Sequence, residues 1–370
     1  MGRDAVIDTQ GHASLIGEEP GTGLSRRSAG WLGAVFVGIV IAALMSLVHV
    51  PYAILRPGPV TNTLGNGPEG KPLITVEGKA TYPTTGALDF TTVAVFGGPN
   101  NPVNGWDWIT GHLDRTSTVV PEEKLFPKGV TSKQVDQENA AEMADSQQEA
   151  IAIALRGLGQ RVPEVVSITD LTKGSPASGV LRSGDVLVSI DGTAVTTPDA
   201  VRAAIRAHTP GESAVFTVRR DGKEQVLTVK TADSQGRTVV GVFLRAAFDF
   251  PVKVSIKAGD VGGPSAGMMF SLAVYDKLTP GALTGGVNIA GTGTIDATGT
   301  VGPIVGIQQK LVGAKRGGAT WFLAPAGNCN EVVGHIPDGL QVVKVATFTQ
   351  ARDVVEAIAA KQTASLPRCT

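Results

Sequence analysis

A serine within a glycine-rich turn is the first residue of this sequence whose surroundings suit covalent chemistry. The run GGPSAG at 262–267 follows a predicted strand at 252–256 and opens an apolar helix that we predict through about Leu278. Its glycines let a substrate backbone approach closely, and free amides at a helix N-terminus can stabilise a developing oxyanion. Ser265 is therefore a candidate nucleophile, although a helix cap is the ordinary role of a serine at such a place. Three neighbours are candidate oxyanion or backbone-approach residues: Gly263, Pro264 and Ala266.

A lysine further along the chain could serve this serine as a base. Residues 292–310 predict a short strand pair that leads into a helix with one apolar stripe: Ile307, Leu311 and Ala314. Lys310 lies about 60–70° from the centre of that stripe, so it borders the buried face. Lys315 occupies the opposite border, so helix geometry permits Lys310 as a half-buried base without selecting it. A surface lysine that extends its ammonium group into water is the ordinary alternative.

The pairing of these two residue types has a chemical reason. A serine hydroxyl is a poor nucleophile until a neighbouring base takes its proton. A lysine can act as that base only when desolvation lowers its pKa enough to leave the amine neutral near the working pH. Lys310 would then accept the proton of Ser265 and later donate it to the leaving group.

Together the two segments resemble the proteolytic domain of Lon proteases, in which Gly-Pro-Ser-Ala-Gly carries the nucleophilic serine and a downstream helix carries a lysine. The spacing of 45 residues is typical of that family. The family's block Thr-Gly…Gly-x-Val-x-Pro-Ile-x-Gly precedes the lysine here in the same register, and the match extends over about 238–360. The resemblance implies a Ser265/Lys310 catalytic dyad. It also implies that the hydroxyl of Thr292 helps to hold the lysine, although a plain strand role fits Thr292 equally well.

The sequence departs from the Lon pattern in three places. Gly262 stands where the family often has an acidic residue, and Val305 replaces the first glycine of a usual Gly-Gly pair. Both differences could alter how a substrate fits. No Gly-x-x-x-x-Gly-Lys-Ser/Thr phosphate loop occurs in the 370 residues, so we expect proteolysis without ATP-driven unfolding and without a cofactor.

A second resemblance covers residues 162–231. The motifs Gly-Ser-Pro-Ala at 174–177, Gly-Asp-Val-Leu at 184–187 and Asp-Gly at 191–192 follow in the order typical of bacterial PDZ domains. PDZ domains bind peptides by adding a strand to a sheet edge beside a helix. A small α/β domain whose glycines only serve turns is the alternative. The carboxylate-binding loop is not located, because the surroundings of Leu158 and Gly159, just before the first strand, do not match it.

An uncharged apolar stretch near the N-terminus predicts a membrane span. Residues 31–50 are almost wholly apolar and long enough to cross about 30 Å of hydrocarbon as a helix. A cleaved signal peptide is the rival interpretation, but 48–51 offers no small-x-small cleavage site. Arg26 and Arg27 precede the span, so the positive-inside rule predicts a cytoplasmic N-terminus and an extracytoplasmic remainder in a single-pass protein of the cell membrane.

Composition excludes some functions and leaves one question open. With 32 basic and 33 acidic residues the net charge is −1, which provides no field for nucleic acid. The five histidines show neither triad nor His-Glu-x-x-His spacing, so no metal site is expected. Cys329 and Cys369 could pair outside the cytoplasm or remain two free thiols.

These observations predict an α/β (α+β) multi-domain protein. A helical spacing of apolar residues over 143–158 closes the region that precedes the PDZ-like segment. The predicted parts are a cytoplasmic tail (1–29), a transmembrane anchor (30–55), an N-terminal extracytoplasmic region (56–160), a PDZ-like domain (161–232) and a Lon-type proteolytic domain (233–365).

The combination resembles the membrane-bound, PDZ-containing Lon-type proteins of Gram-positive bacteria. It implies an ATP-independent serine endopeptidase that cleaves extracytoplasmic or membrane-tethered proteins. Whether the chain forms a homo-oligomer, a hexamer by family analogy, is a question that the sequence leaves open. An HtrA-like protease does not fit, because the Gly-Asn-Ser-Gly-Gly motif is absent and that family places its serine before the PDZ module. A non-catalytic scaffold, in which the PDZ-like groove gathers partners, is the alternative from another class.

Overall fold

The computed structural model describes residues 26–67, 70–99 and 101–370. Residues 1–25, most of the predicted cytoplasmic tail, lie outside this part, and 26–29 begin the first helix. Eight α-helices occur in the described residues: α1 (Arg26–Leu47), α2 (Gly105–Leu113), α3 (Ser132–Gly157), α4 (Pro198–Arg206), α5 (Gly267–Leu278), α6 (Ile307–Arg316), α7 (Cys329–Val332) and α8 (Phe348–Ala359).

Strands make up most of the remaining regular structure. The described residues form β1 (Tyr52–Asn62), β2 (Ile74–Glu77), β3 (Ala87–Phe96), β4 (Thr118–Pro121), β5 (Glu164–Leu171), β6 (Val186–Ile190), β7 (Thr193–Ala194), β8 (Ser213–Arg220), β9 (Lys223–Lys230), β10 (Ala232–Ser234), β11 (Arg237–Val239), β12 (Val242–Phe248), β13 (Lys253–Ile256), β14 (Asn288–Gly291), β15 (Thr294–Ile295), β16 (Val301–Gly302), β17 (Trp321–Pro325) and β18 (Gln341–Val345).

A six-stranded mixed sheet with the order β18-β17-β14-β3-β1-β4 lies at the centre of the larger unit. Strand β14 runs parallel to β3 and β17, whereas β1 runs antiparallel to β3 and β4. Because side chains alternate along a strand, neighbouring residues of β14 enter different cores. Ile289 packs with α5, whereas Ala290 packs with α6. The sheet therefore lies between two helical layers, and two predicted site residues belong to them: Ser265 shortly precedes α5, and Lys310 lies on α6.

Helix α5 is apolar on nearly every side because other helices and the sheet surround it. It packs against α3, α8 and the sheet, and Met268, Phe270 and Leu272 are fully buried. The ring centroids of Phe90 on β3 and Phe270 on α5 lie 5.4 Å apart in an edge-on contact. The predicted apolar helix after the Gly-Gly-Pro-Ser turn is thus the central helix of the core, which holds that turn in a fixed position.

The structure divides the chain differently from the predicted boundaries. The region predicted as separate at 56–160 supplies β1, β3, β4 and α3, whereas β14, β17 and β18 of the same sheet come from 233–365. The two predicted parts are therefore one unit, interrupted by the PDZ-like segment. Strand β1 also crosses the predicted end of the anchor at residue 55. Local apolar patterns predict a strand but carry no information about its partner in the sheet.

The PDZ-like segment forms a second unit with its own core. Its antiparallel sheet has the order β12-β5-β6-β8-β9, with β7 beside β6, and α4 packs against it. Strand β12 lies beyond the predicted boundary at 232, so this unit extends to Phe248. The hairpin of β8 and β9 turns at Asp221 and Gly222, which both have positive φ, as a two-residue turn of type I′ requires.

Two features at the chain ends complete the fold. Helix α1 contains an 18-residue stretch, Gly30–Leu47, with a mean hydropathy of 2.2 and no buried residue, which is long and apolar enough to cross a membrane. A signal sequence would meet the same description. Near the C-terminus Cys329 and Cys369 form a disulfide, which decides between the two alternatives left open by the sequence.

Candidate active site

Three side chains from three elements converge at the N-terminal end of α5. Lys310 on α6 donates a hydrogen bond from Nζ to Oγ of Ser265 at 2.7 Å and another to Oγ1 of Thr292 at 2.9 Å. Thr292, which directly follows β14, in turn donates from Oγ1 to the carbonyl oxygen of Ser265 at 2.9 Å. The predicted nucleophile, base and supporting threonine therefore lie in one hydrogen-bonded ring.

Burial gives the lysine the property that its proposed chemistry needs. Lys310 is only 2% exposed, so it is more deeply buried than the half-buried position predicted from helix geometry. Desolvation disfavours the ammonium form and lowers the pKa of Lys310 from 10.5 to about 7. Near neutral pH a large fraction of the amine is therefore unprotonated, and its lone pair can accept the proton of Ser265.

The structure also distinguishes Lys310 from Lys315, which helix geometry alone left equivalent. Lys315, at the opposite border of the apolar stripe, is exposed and donates to the carbonyl of Gly339 at 3.2 Å. Ser265 is likewise not a helix cap, because Ala266 holds the N-cap position of α5 and makes no side-chain capping bond. Neither ordinary alternative role is therefore what the structure shows.

The backbone around Ser265 differs from the expected set of oxyanion donors. The N–H of Gly263 donates to the carbonyl of Asn139 at 3.1 Å, and Pro264 has no N–H, so neither can bind an oxyanion. Gly263 has φ +81, a conformation that favours glycine, so its role is to shape the turn. Among the described residues, no acceptor bonds the N–H groups of Ser265 and Ala266. These two amides are the donors available beside the nucleophile.

Helix α3 holds the nucleophile-bearing turn in place, a role that the sequence did not predict. Ser146 donates from Oγ to the carbonyl of Pro264 at 3.0 Å, and Asn139 accepts from Gly263. A side chain at Gly262 would meet Cβ of Asn139 at 2.7 Å, so α3 fills the space in which the family often has an acidic residue. A buried serine on the apolar face of α3, three residues after Met143, is the signal that could have identified this contact.

A cleft of about 820 Å³ opens beside Ser265. Its walls are mostly apolar and come from β1, β3, α3 and the segments before α3, α5 and α6; they include Leu55, Val93, Phe126, Val130, Met143 and Ile304. The 63% exposed side chain of Val305, the second departure from the family pattern, also lies on this wall. Strand β14 pairs with β3 only as far as Phe90, so the following residues of β3 have a free edge towards the cleft.

Two regions of the chain match families of known proteins. Residues 129–231 match the PDZ domain, and residues 245–361 match the C-terminal proteolytic domain of Lon protease (S16). The PDZ match begins before the predicted segment, within the stretch that leads into α3. Both resemblances predicted from the motifs are thereby confirmed.

Individual relatives agree with these matches. The Lon protease of Azospirillum brasilense is 32% identical over 147 residues, which cover 37% of this chain and 18% of that protein. Lon protease 2 of Bacillus subtilis is 28% identical over 108 residues, which cover 29% of this chain and 19% of that protein. The chain thus spans about a fifth of the length of these relatives.

A solved structure is similar to the PDZ-like segment. The PDZ domain of an SdrC-like protein from Listeria monocytogenes is 23% identical, covers 21% of this chain and 85% of its own, and has a TM-score of 0.21. The assignment of the PDZ domain rests on the family match rather than on this likeness.

Proposed function

We propose that this chain, which carries a Lon-type proteolytic domain and a PDZ domain, is a membrane-anchored serine endopeptidase that cleaves extracytoplasmic or membrane-tethered proteins without ATP. The observation that carries the proposal is the contact of 2.7 Å between Nζ of Lys310 and Oγ of Ser265, with the lysine buried and its pKa lowered to about 7. A nucleophile and a base within hydrogen-bond reach are the arrangement that acyl transfer by a serine needs.

The reaction follows from this geometry. The neutral amine of Lys310 accepts the hydroxyl proton of Ser265 while Oγ attacks the substrate carbonyl carbon. The negative charge that develops on the carbonyl oxygen is stabilised by the free N–H groups of Ser265 and Ala266. As the peptide bond breaks, the Lys310 ammonium gives its proton to the departing amine and leaves an ester on Oγ. Water then gives a proton to Lys310 and attacks this ester. As the acid leaves, Lys310 returns that proton to Oγ, which regenerates both the serine and the neutral amine.

The hydroxyl of Thr292 acts on the base rather than on the substrate. It accepts one Nζ hydrogen bond and donates its own proton to the Ser265 carbonyl, so Nζ and Oγ keep a fixed relation. An apolar cleft beside Ser265 suits extended segments with apolar side chains, and the free edge of β3 can pair with such a segment. We therefore infer that the substrates are unfolded or flexible proteins.

The PDZ domain would select or deliver those substrates. Strand β12 is an edge strand of its sheet, and α4 packs beside it, which is where a PDZ domain adds a peptide strand. Arg245 on β12 forms an ion pair of 3.3 Å with Asp145 on α3, the helix that also holds the Ser265 turn. The proposed peptide groove and the catalytic turn are therefore joined through one helix.

Anchoring and independence of ATP rest on separate observations. Helix α1 is apolar, and none of its residues over Gly30–Leu47 is buried, so we propose that it spans the membrane with the described domains on the extracytoplasmic side. No phosphate loop for ATP occurs in these 370 residues. A scaffold without activity would not need a lysine whose burial costs free energy beside a serine hydroxyl, so the scaffold alternative explains less.

Cleavage of an unstructured protein by the full chain, in detergent and without ATP, tests the proposal. Ser265→Ala and Lys310→Ala should each abolish cleavage, whereas Lys315→Ala, which alters an exposed lysine of the same helix, should cleave like the parent. Added ATP should change nothing. If both dyad variants cleave as well as the parent, the proposed function is wrong.

A further inference from the structure

The short helix α2 carries an apolar stripe that the catalytic site does not use. Trp106, Ile109 and Leu113 recur at i, i+3 and i+7 and so share one face of the helix. Trp106 is 42% exposed and Leu113 is 77% exposed, which is unusual for large apolar side chains on one helix of a folded domain. The helix contains no lysine or arginine.

Helix α2 lies beside the last turns of α1 rather than beyond its end. The indole Nε1 of Trp106 donates to the carbonyl of Ala42 at 3.0 Å, and Ala42 precedes the end of α1 at Leu47 by five residues. At 1.5 Å per residue, the Trp106 ring sits about 7–8 Å short of the end of the apolar helix.

Close backbone packing fixes this arrangement. A Cβ at Gly105, the first residue of α2, would lie 3.0 Å from the backbone carbonyl oxygen of Met45 and 2.7 Å from its flexible Sδ, so glycine lets the two helices approach this closely. The N–H of Val50 donates to the carbonyl of Val103 at 2.9 Å, which ties the segment after α1 to the segment before α2. The two helices are therefore one unit, and the depth of α1 in a membrane determines the depth of α2.

The length of α1 sets the depth at which α2 would lie in a bilayer that α1 spans. The apolar stretch of α1 is 18 residues long, or about 27 Å as a helix, close to the roughly 30 Å of a hydrocarbon core. If α1 spans a bilayer, Trp106 lies at the boundary between acyl chains and headgroups. Tryptophan is enriched at that boundary because its ring is apolar and its N–H is polar.

We propose that α2 is an interfacial helix that inserts its apolar stripe into the extracytoplasmic leaflet and holds the catalytic domain against the bilayer. This inference rests on the membrane-anchoring part of the proposed function. Leu55, a residue of the cleft wall, follows the end of α1 by eight residues, which span at most about 26 Å in extended form. The cleft is thus held close to the membrane surface, and chain segments within about 25 Å of the bilayer are the substrates it can reach.

Quenching of tryptophan fluorescence in lipid nanodiscs tests the inference. The full chain is placed in discs of phosphatidylcholine and phosphatidylglycerol that carry bromine atoms either near the headgroup end or near the end of the acyl chains. The chain has four tryptophans, and three of them are compared as single Trp→Phe variants: Trp31 in the proposed span, Trp106, and Trp321 in the core. Trp106→Phe should remove a component that shallow bromines quench at least twofold more than deep ones, whereas Trp321→Phe should remove none.

The outcomes separate this inference from the anchor itself. If Trp31→Phe lowers the quenched fraction and Trp106→Phe does not, α1 is embedded but α2 faces water or a protein partner, and the inference is wrong. If neither variant lowers it, the anchor and the inference fail together.

A second measurement does not depend on fluorescence. Leu113→Asp should lower cleavage of a bilayer-tethered substrate about tenfold and leave cleavage of a soluble peptide unchanged. Val333→Asp is the matched control, because Val333 is also exposed but follows β17, near the sheet edge opposite to β4. Equal activity of both variants on both substrates would contradict the interfacial role.

Discussion

Lys310 and Lys315 lie five residues apart on α6 and end in opposite environments. Lys310 points into the protein and contacts Ser265, whereas Lys315 is exposed and bonds the carbonyl of Gly339. Little more than one turn of helix therefore separates a lysine with a pKa lowered to about 7 from an ordinary surface lysine. This contrast supplies both the expected pH dependence and its control.

The activity should rise with pH through the pKa of Lys310. Only the neutral amine can accept the Ser265 proton, so kcat/KM should increase about tenfold per pH unit below about 7 and level off above it. Initial rates on a short peptide between pH 5 and pH 9 give this profile. Lys315→Ala should keep it unchanged. A profile that is flat across pH 7 would contradict the role of Lys310 as base.

The burial of Lys310 should also make the free energy of unfolding depend on pH. The folded pKa of Lys310 is about 7 and the unfolded value is near 10.5, so between these values the unfolded state binds more protons and stability rises with pH. Lys310→Met removes this effect. The variant should be the more stable form at pH 6, and its advantage should shrink by about 1.4 kcal/mol per pH unit between pH 7 and pH 10. Urea unfolding of both proteins at several pH values measures this difference, and a constant difference would contradict the lowered pKa.

Part of this site could be predicted from the sequence, and part could not. The helix after the Gly-Pro-Ser turn and the apolar stripe of α6 are local patterns, and the structure shows both. The wheel of α6 left two lysines equivalent, because burial depends on what packs against a helix and not on the helix alone. The position of Thr292 beside both Ser265 and Lys310 depends on the sheet, which no local pattern encodes.

The main difference from prediction lies in the sheet itself. Strand β3 pairs in parallel with β14, with Asp89 opposite Ala290, although the whole PDZ domain separates these two strands in the sequence. The backbone carbonyl oxygen of Asn139 accepts a hydrogen bond from the N–H of Gly263, so this expected oxyanion donor is already bonded. Contacts between residues so far apart in the chain determine both features, and motifs in one sequence do not reveal them.

The rate of catalysis should depend on the hydroxyl group of Thr292 more than on the size of its side chain. Thr292→Val keeps the shape but removes a bond to Nζ and a bond to the Ser265 carbonyl, so kcat should fall by about 10- to 100-fold. Thr292→Ser restores the hydroxyl and should stay within a few-fold of the parent. Steady-state kinetics on a peptide substrate compare the two variants. Equal activity of the two variants would leave Thr292 with only a strand role.

Ser146 on α3 should act on catalysis through the turn that it holds. Ser146→Ala removes the bond to the Pro264 carbonyl and should cost about 1 kcal/mol of stability. Because the turn positions Ser265, kcat should fall while KM stays near the parent value in steady-state kinetics. Gln148→Ala is the matched control, because Gln148 lies two residues further along the same helix and is exposed. Unchanged kcat in Ser146→Ala would show that α3 only supports the fold.

A substitution on the edge strand β12 of the PDZ sheet should slow the cleavage of protein substrates but not that of short peptides. Phe243 on β12 is 55% exposed, and Val226 on β9, the opposite edge strand, is 70% exposed. Phe243→Asp should slow cleavage of a protein substrate several-fold without changing cleavage of a short peptide, because the edge strand β12 lies beside α4, where a PDZ domain adds a peptide strand. Val226→Asp should change neither rate. Equal effects of the two variants would make the PDZ domain a structural part.

Labelling of the full chain with a fluorophosphonate, followed by mass spectrometry of the modified peptide, is the sharpest test of the Ser265/Lys310 dyad. The reagent reacts with a serine only when a base activates it. We expect one adduct, on Ser265, at pH 8, and at least a hundredfold slower labelling in Lys310→Ala but not in Lys315→Ala. Labelling of Lys310→Ala at the parent rate, or an adduct on another serine, would contradict the Ser265/Lys310 dyad.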